Sequence, residues 1–207
     1  MTFEITDYPD SYVKVKFKKE EKIIVEKGCF IYCDGEYDYE NKIEAKSYKN
    51  WIAKIFGGKS LTYNIYSAKE NVEMALSPKD TAEIICLDVS RANPIIFSPS
   101  SHFMRTFGLE IKLISLLKES DILLKTLGSG KLFLKGYGKI IEKNIDSINP
   151  IYVDEDALVA FEQKLEYGWI SGGVKKLFTS GEGFTYTFKG KGKIWIQSKE
   201  KIEYKND

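Results

Sequence analysis

The pattern Lys-Gly-x-Gly-Lys-Ile occurs twice, at residues 135–140 and 189–194. A chain that repeats so specific a pattern is constrained to a fold assembled from copies of one supersecondary unit. A third, diverged copy lies upstream. There Gly58-Lys59-Ser60-Leu61-Thr62-Tyr63 parallels Gly181-Glu182-Gly183-Phe184-Thr185-Tyr186, and after a slip of one residue Val72 and Met74 parallel Ile194 and Ile196. Each unit opens on an apolar strand, at residues 28–32, 94–97 and 156–161. A charged strand follows, such as 41–44 or 108–112, then a link and a closing hairpin. The units span about residues 24–78, 82–142 and 148–199, with the first and third most alike. Residues 1–20 form an added strand or strap and 200–207 a polar tail. A unit of about 50 residues with a few short strands cannot bury both sheet faces alone, so the copies must pack into one body.

Alternation with period two sets the class. Val13, Val15 and Phe17 share one strand face between lysines, and Val72, Met74 and Leu76 share another. Leu61, Tyr63 and Ile65 alternate with Thr62, Asn64 and Tyr66, and the aromatics of residues 184–188 alternate with threonines. These are half-buried antiparallel strands, separated by Gly, Asn, Asp and Pro at the short intervals of an all-β sandwich or barrel. One stretch is ambiguous. The leucines of residues 114–127 fit a short helix or an irregular link, ended by Gly128-Ser129-Gly130.

The repeated pattern is not a phosphate loop. A Walker loop leads from a strand into a helix and places Ser or Thr after its lysine. Here Ile140-Ile141 and Ile194-Trp195-Ile196 follow, which are strand residues, and a dinucleotide fingerprint lacks its third glycine. Glycines between strand-like runs supply positive φ for a tight turn, so both copies are predicted as hairpin turns.

Composition narrows function. With 31 Lys plus Arg against 30 Asp plus Glu, the net charge is +1, without the basic excess of a nucleic-acid binder. Only Arg91 and Arg105 are arginines, which disfavours bidentate phosphate recognition. Cys29, Cys33 and Cys86 are read as reduced thiols in a cytoplasmic protein, because no secretory pattern precedes them. No apolar run approaches the roughly 18 residues of a membrane helix.

Candidate chemistry reduces to structural readings. His102 is the one histidine and cannot build a cupin-like iron or zinc site, so it is read as a strand-end residue. Ser100 and Ser101 adjoin it without a nucleophile elbow. Asp154-Glu155-Asp156 and Asp34-Gly35-Glu36 are read as turns rather than as paired catalytic acids. Thirteen tyrosines, twelve phenylalanines and Trp51, Trp169 and Trp195 could stack single-stranded nucleic acid. They are read instead as core and interface, and Trp51 and Trp169, in corresponding links, point to a subunit or partner surface. No catalytic, cofactor-binding or metal-binding residue is assigned, and no cofactor is expected.

The run Leu132-Phe133-Leu134-Lys135-Gly136-Tyr137-Gly138-Lys139-Ile140, the run 152–161 and the segments 177–184 and 192–198 resemble the family named for altered inheritance of mitochondria protein 24. The resemblance covers about residues 21–199 and is most specific in the C-terminal third. In the middle, residues 115–122 replace a shorter, glycine-rich link. The resemblance implies repeated units related to the trp RNA-binding attenuation protein, a short double-stranded β-helix type, and oligomers, with trimers among prokaryotic members. It brings no catalytic residues. The mitochondrial inner-membrane role of eukaryotic members is not carried over, because the chain shows no transit-peptide pattern. The expectation is a non-enzymatic, cytoplasmic, homo-oligomeric β-scaffold or interaction protein. The alternative is a binding module for a small ligand or single-stranded nucleic acid in a groove between units or subunits.

Overall fold

The period-two pattern becomes strands throughout the computed structural model, which describes residues 1–43, 62–117, 121–170 and 185–200 apart from Tyr8 and Asp10. In chain order β1 is Thr2–Ile5, β2 Val13–Phe17, β3 Lys22–Glu26, β4 Phe30–Asp34, β5 Tyr37–Ile43, β6 Thr62–Ala68 and β7 Val72–Leu76. Then come β8 Ala82–Val89, β9 Ile95–Phe97, β10 His102–Thr106, β11 Glu110–Leu117, β12 Asp121–Leu127 and β13 Gly130–Tyr137. The last are β14 Ile140–Asp154, β15 Leu158–Glu162, β16 Glu166–Ile170 and β17 Thr185–Gln197. Among the described residues a 3-10 turn, Pro99–Ser101, interrupts them, and no α-helix occurs.

The strands form three antiparallel sheets, ordered β1-β2-β7-β4, β5-β6-β3-β10-β13-β8 and β11-β12-β9-β15-β17-β14, with β16 also on β17. The same set of pairings occurs in three successive runs. In the first, β7 lies between β2 and β4 while β6 lies between β3 and β5. In the second, β13 lies between β8 and β10 while β12 lies between β9 and β11. In the third, two long strands do double duty. The C-terminal part of β17 pairs with the first half of β14 and with β15, and its N-terminal part pairs with residues 151–154 and with β16.

The details recur as well. A register shift falls at the same place in each inner strand, between Phe30 and Tyr32, between His102 and Met104, and between Leu158 and Ala160. Successive runs join in one way: β10 adds to β3 with Arg105 opposite Ile24, and β15 adds to β9 with Phe161 opposite Ile96. Asn93 of the second run also donates to Glu162 of the third at 2.8 Å. These pairings place β2 with the first run and the first half of β14 with the third, ahead of the sequence outlines at 24 and 148.

Apolar faces of consecutive runs pack in sequence. Val13, Val15, Met74 and Leu76 share a core with Ile84, Phe103, Met104 and Phe133, while Leu132 and Leu134 meet Val159, Ala160 and Trp195. A third core gathers Ile96, Phe161, Phe188 and Ile194. Each fully buried Phe contributes roughly 1.5–3 kcal/mol by removal from water.

Two readings need correction. The described residues of the leucine-rich stretch, 114–117 and 121–127, are neither helix nor irregular link: β11 and β12 pair along them, with Ile114 opposite Leu123. Leucine tolerates both states, and cross-strand pairing decides. Nor is either Lys-Gly-x-Gly-Lys-Ile copy a hairpin turn. The first joins β13 to β14, which belong to different sheets. The second lies inside β17, where Gly190 at φ +97° turns a continuous strand from one set of partners to another. The position equivalent to Gly190 is Gly128, at φ +98° between β12 and β13.

Candidate functional site

Exposed large apolar residues gather at two sheet edges, while Phe107, Leu127 and Ile141 lie apart from them. β4 pairs with β7 on one side and, among the described residues, with nothing on the other. Its Phe30, Ile31 and Tyr32 are exposed. Phe30 opens an aromatic group, with ring centroids 5.7 Å from Tyr37 and 6.1 Å from Tyr66, and exposed Tyr39 lies 6.3 Å from Tyr66. Tyr32 donates its hydroxyl to Glu73 at 2.8 Å. That bond holds the phenol above its usual range and the Glu73 carboxyl below its own, with Lys16 at 3.1 Å adding to the latter. Isolated exposed apolar residues are ordinary, but a contiguous aromatic edge marks an interaction surface.

The second edge is the C-terminal half of β14. Residues 151–154 pair with β17 on one side and leave the other open among the described residues. Tyr152 and Ile148 are exposed there. The strand ends in the Asp154-Glu155-Asp156 turn read from the sequence, closed as Asp156 N–H donates to the Asp154 carboxylate at 2.9 Å. Asp154, Asp156 and Glu200 bring carboxylate oxygens within 4.8 Å of one another, a donor set suited to a hard cation, and none of the three is buried. Asp34-Gly35-Glu36 is likewise a turn, with Gly35 at φ +105°.

His102 opens β10, as a strand-end residue, and is buried beside Arg105. Arg105 Nη1 lies 3.0 Å from His102 Nε2, its Nε donates to the Leu109 carbonyl at 3.0 Å, and its guanidinium sits 4.9 Å from the Tyr63 ring centre. A guanidinium only donates, so Nε2 accepts and the imidazole proton resides on Nδ1. Burial, then the charges of Arg105 and Lys135, hold His102 well below the ordinary histidine range. Its basic nitrogen is therefore engaged, and Ser100 bonds Ser98 through hydroxyls 2.9 Å apart. Burial pushes the Cys29 thiol up to about 12 and Cys86 up to about 11, which leaves both protonated and unreactive at neutral pH.

A cleft of about 490 Å³ opens between the end of β1, β8 and the start of β14, lined by Thr6, Asp7, Glu83, Cys86, Glu142 and Trp195 among others. Trp195 donates its indole N–H to Glu142 at 3.1 Å. Among the described residues the lining offers no Lys or Arg to meet a phosphate, and two of its carboxylates are already paired, Glu83 with Lys139 at 2.7 Å and Glu142 with Lys193 at 2.6 Å. Trp169 lies in β16, not in a link, and is half-buried against the third core. Trp51 lies outside the described residues. Reading the sequence for aromatic interfaces thus pointed to Trp51 and Trp169 and missed Phe30, Ile31, Tyr32 and Tyr152. Nothing in the sequence set these four apart, because their counterparts at residues 102–104, 158–160 and 96 lie in buried strands.

No helix among the described residues is long and apolar enough to cross a membrane. The sequence matches the family model described as Mitochondrial biogenesis AIM24 over residues 3–199. In structure it is similar to a protein of Streptococcus pyogenes solved by X-ray crystallography, with a TM-score of 0.79 and 18% identity, covering 96% of this chain and 94% of that one. At that identity the likeness concerns the fold. No curated protein matches the chain.

Proposed function

Because the chain belongs to the Mitochondrial biogenesis AIM24 family, a match that spans nearly its whole length, we propose that it is a non-enzymatic β-scaffold that assembles with copies of itself in the cytoplasm. In this reading the three runs are copies of one unit of the trp RNA-binding attenuation protein type, and a trimer is the favoured assembly. The observation that carries the proposal is the concentration of large exposed apolar side chains on two sheet edges, Phe30, Ile31 and Tyr32 on one and Tyr152 on the other. The non-enzymatic reading draws support from the engaged nitrogen of His102 and the raised thiols of Cys29 and Cys86. Light scattering at micromolar concentration tests it. A mass several times the 23.7 kDa chain is expected. A monomer that also recovers no partner by pull-down refutes the scaffold.

A second reading, a ligand-binding module, rests on the cleft beside Trp195. Its nucleic-acid version is opposed by a lining that, among the described residues, holds no Lys or Arg. Filter binding across salt concentrations discriminates, since phosphate contacts weaken steeply with salt.

A further inference from the structure

The two open edges are the two halves of a joint that the chain already makes twice. At the first joint β10 adds to β3, with Met104, Arg105 and Thr106 opposite Val25, Ile24 and Ile23. At the second β15 adds to β9, with Ala160, Phe161 and Glu162 opposite Phe97, Ile96 and Ile95. Each joint fuses two three-stranded halves into a six-stranded path, β5-β6-β3 with β10-β13-β8 and β11-β12-β9 with β15-β17-β14. Among the described strands, one half of each kind is then left over. The first run leaves β4-β7-β2 without a preceding half, and the third leaves residues 151–154, β17 and β16 without a following one.

Exposure follows this accounting. Phe103 and Val159, which sit at the register shift as Ile31 does, are 0% exposed, whereas Ile31 is 50% exposed. Ile24 and Ile96, covered at the two internal joints, are 3% and 1% exposed. Their counterpart in the third run is Tyr152, since Pro150-Ile151-Tyr152-Val153 repeats Pro94-Ile95-Ile96-Phe97, and it is 57% exposed. The side chains that stay dry inside the series lie wet only at its two ends. An unpaired strand edge of this kind is a template for another strand.

We infer that residues 151–154 of one copy pair antiparallel with β4 of the next, with Tyr152 opposite Cys33, Val153 opposite Tyr32 and Ile151 opposite Asp34. This rests on the self-assembly proposed above and specifies its contact. The register is copied from the internal joints. Cys33 stands opposite Met74 as Arg105 stands opposite Leu132 and Phe161 opposite Ile194. The partner is a second copy of this chain, because the chain's own second half of β14 continues that register. The contact is head to tail, so copies close into a ring when the rotation between them permits.

The native thiol of Cys33 makes the register testable. Directly opposed residues of an antiparallel pair have Cα atoms about 4.5–5.5 Å apart, within disulfide range. In a chain carrying Cys29→Ala and Cys86→Ala, adding Tyr152→Cys and a mild oxidant is expected to yield multiples of the chain mass on a non-reducing gel. The product disappears when Cys33→Ser is added, and Ile151→Cys gives at least tenfold less. The pair Tyr32→Cys with Val153→Cys, in a background also carrying Cys33→Ser, tests the same register independently. An oligomer by light scattering in which neither pair crosslinks, or in which Tyr152→Cys crosslinks without Cys33, overturns the joint and leaves the scaffold reading intact. A monomer by light scattering overturns the joint and the self-assembly it rests on.

Discussion

Placing a carboxylate at Tyr152 and at its internal counterpart Ile96 separates folding from assembly. Ile96 is 1% exposed and packs beside Phe161, Phe188 and Ile194. Ile96→Glu removes about 1.5–3 kcal/mol of apolar burial and buries a charge at a further cost of several kcal/mol. The total approaches the whole stability of a typical domain, about 5–15 kcal/mol, so Ile96→Glu is expected to be largely unfolded by circular dichroism. Tyr152 is more than half exposed in the single chain. Tyr152→Glu is therefore expected to change the unfolding free energy by about 1 kcal/mol or less. In the assembly it removes an aromatic from the middle of the joint, which costs roughly 2 kcal/mol or more. About 2 kcal/mol corresponds to a roughly 30-fold weaker dissociation constant. Sedimentation velocity across a dilution series, with urea unfolding of the same samples, reads both quantities. The reasoning fails if Tyr152→Glu assembles as tightly as the parent chain, or if Ile96→Glu folds normally.

Gly128→Ala and Gly190→Ala each force a side chain into left-handed backbone without a serious clash, since the nearest atoms to the added carbon are 3.4 and 4.0 Å away. Each is expected to cost about 1–2 kcal/mol and to lower Tm by roughly 2–8 °C for a chain of this size. Lys189→Ala and Lys191→Ala should stay within about 0.5 kcal/mol, and a larger lysine effect would reopen a ligand role for the glycine motif. Acid should act through His102. Held neutral by burial and by Arg105, it resists protonation in the fold but not in the unfolded chain. Stability from this group is thus complete above the ordinary value of 6.5 and declines as pH falls below it, by at most about 1.4 kcal/mol per pH unit. Urea midpoints at pH 7.0 and 5.5 should differ in the parent chain and converge in His102→Asn. Equal parental midpoints would contradict the buried neutral imidazole.

The strand content was legible because one face of most strands is buried. Val13, Val15 and Phe17 alternate with lysines, and their burial alternates in the same way. The motif that most resembled a repeat misled about position. In residues 135–140 the second glycine, Gly138, takes positive φ, while a side chain on Gly136 would strike Ile140. In residues 189–194 the roles reverse: Gly190 takes positive φ and Gly192 lies against Leu165. Identical residues thus meet different needs, and the true counterpart of 190–194 is Gly128-Ser129-Gly130-Lys131-Leu132, where the lysine and an aliphatic residue follow the same glycine pair. Pro94 and Pro150 preceding parallel apolar triplets were a truer signal of the recurring pairings, short enough to be overlooked. The open edges were not legible at all. Phe30-Ile31-Tyr32 reads as a core strand, and its counterparts are core strands. Only the order of pairing reveals that β4 stands at the end of the series with no described strand to cover it.

Concentration-dependent hydrogen exchange tests most directly the claim that the chain's two ends complete each other. Amides of β4 and of residues 151–154 that face away from β7 and β17 should be protected at high micromolar concentration and exchange faster on dilution, while those of β3, β9, β10 and β15 stay unchanged. If light scattering reports an oligomer and the amides of β4 and residues 151–154 exchange at one rate at every concentration, the copies meet elsewhere and the account of the edges is wrong.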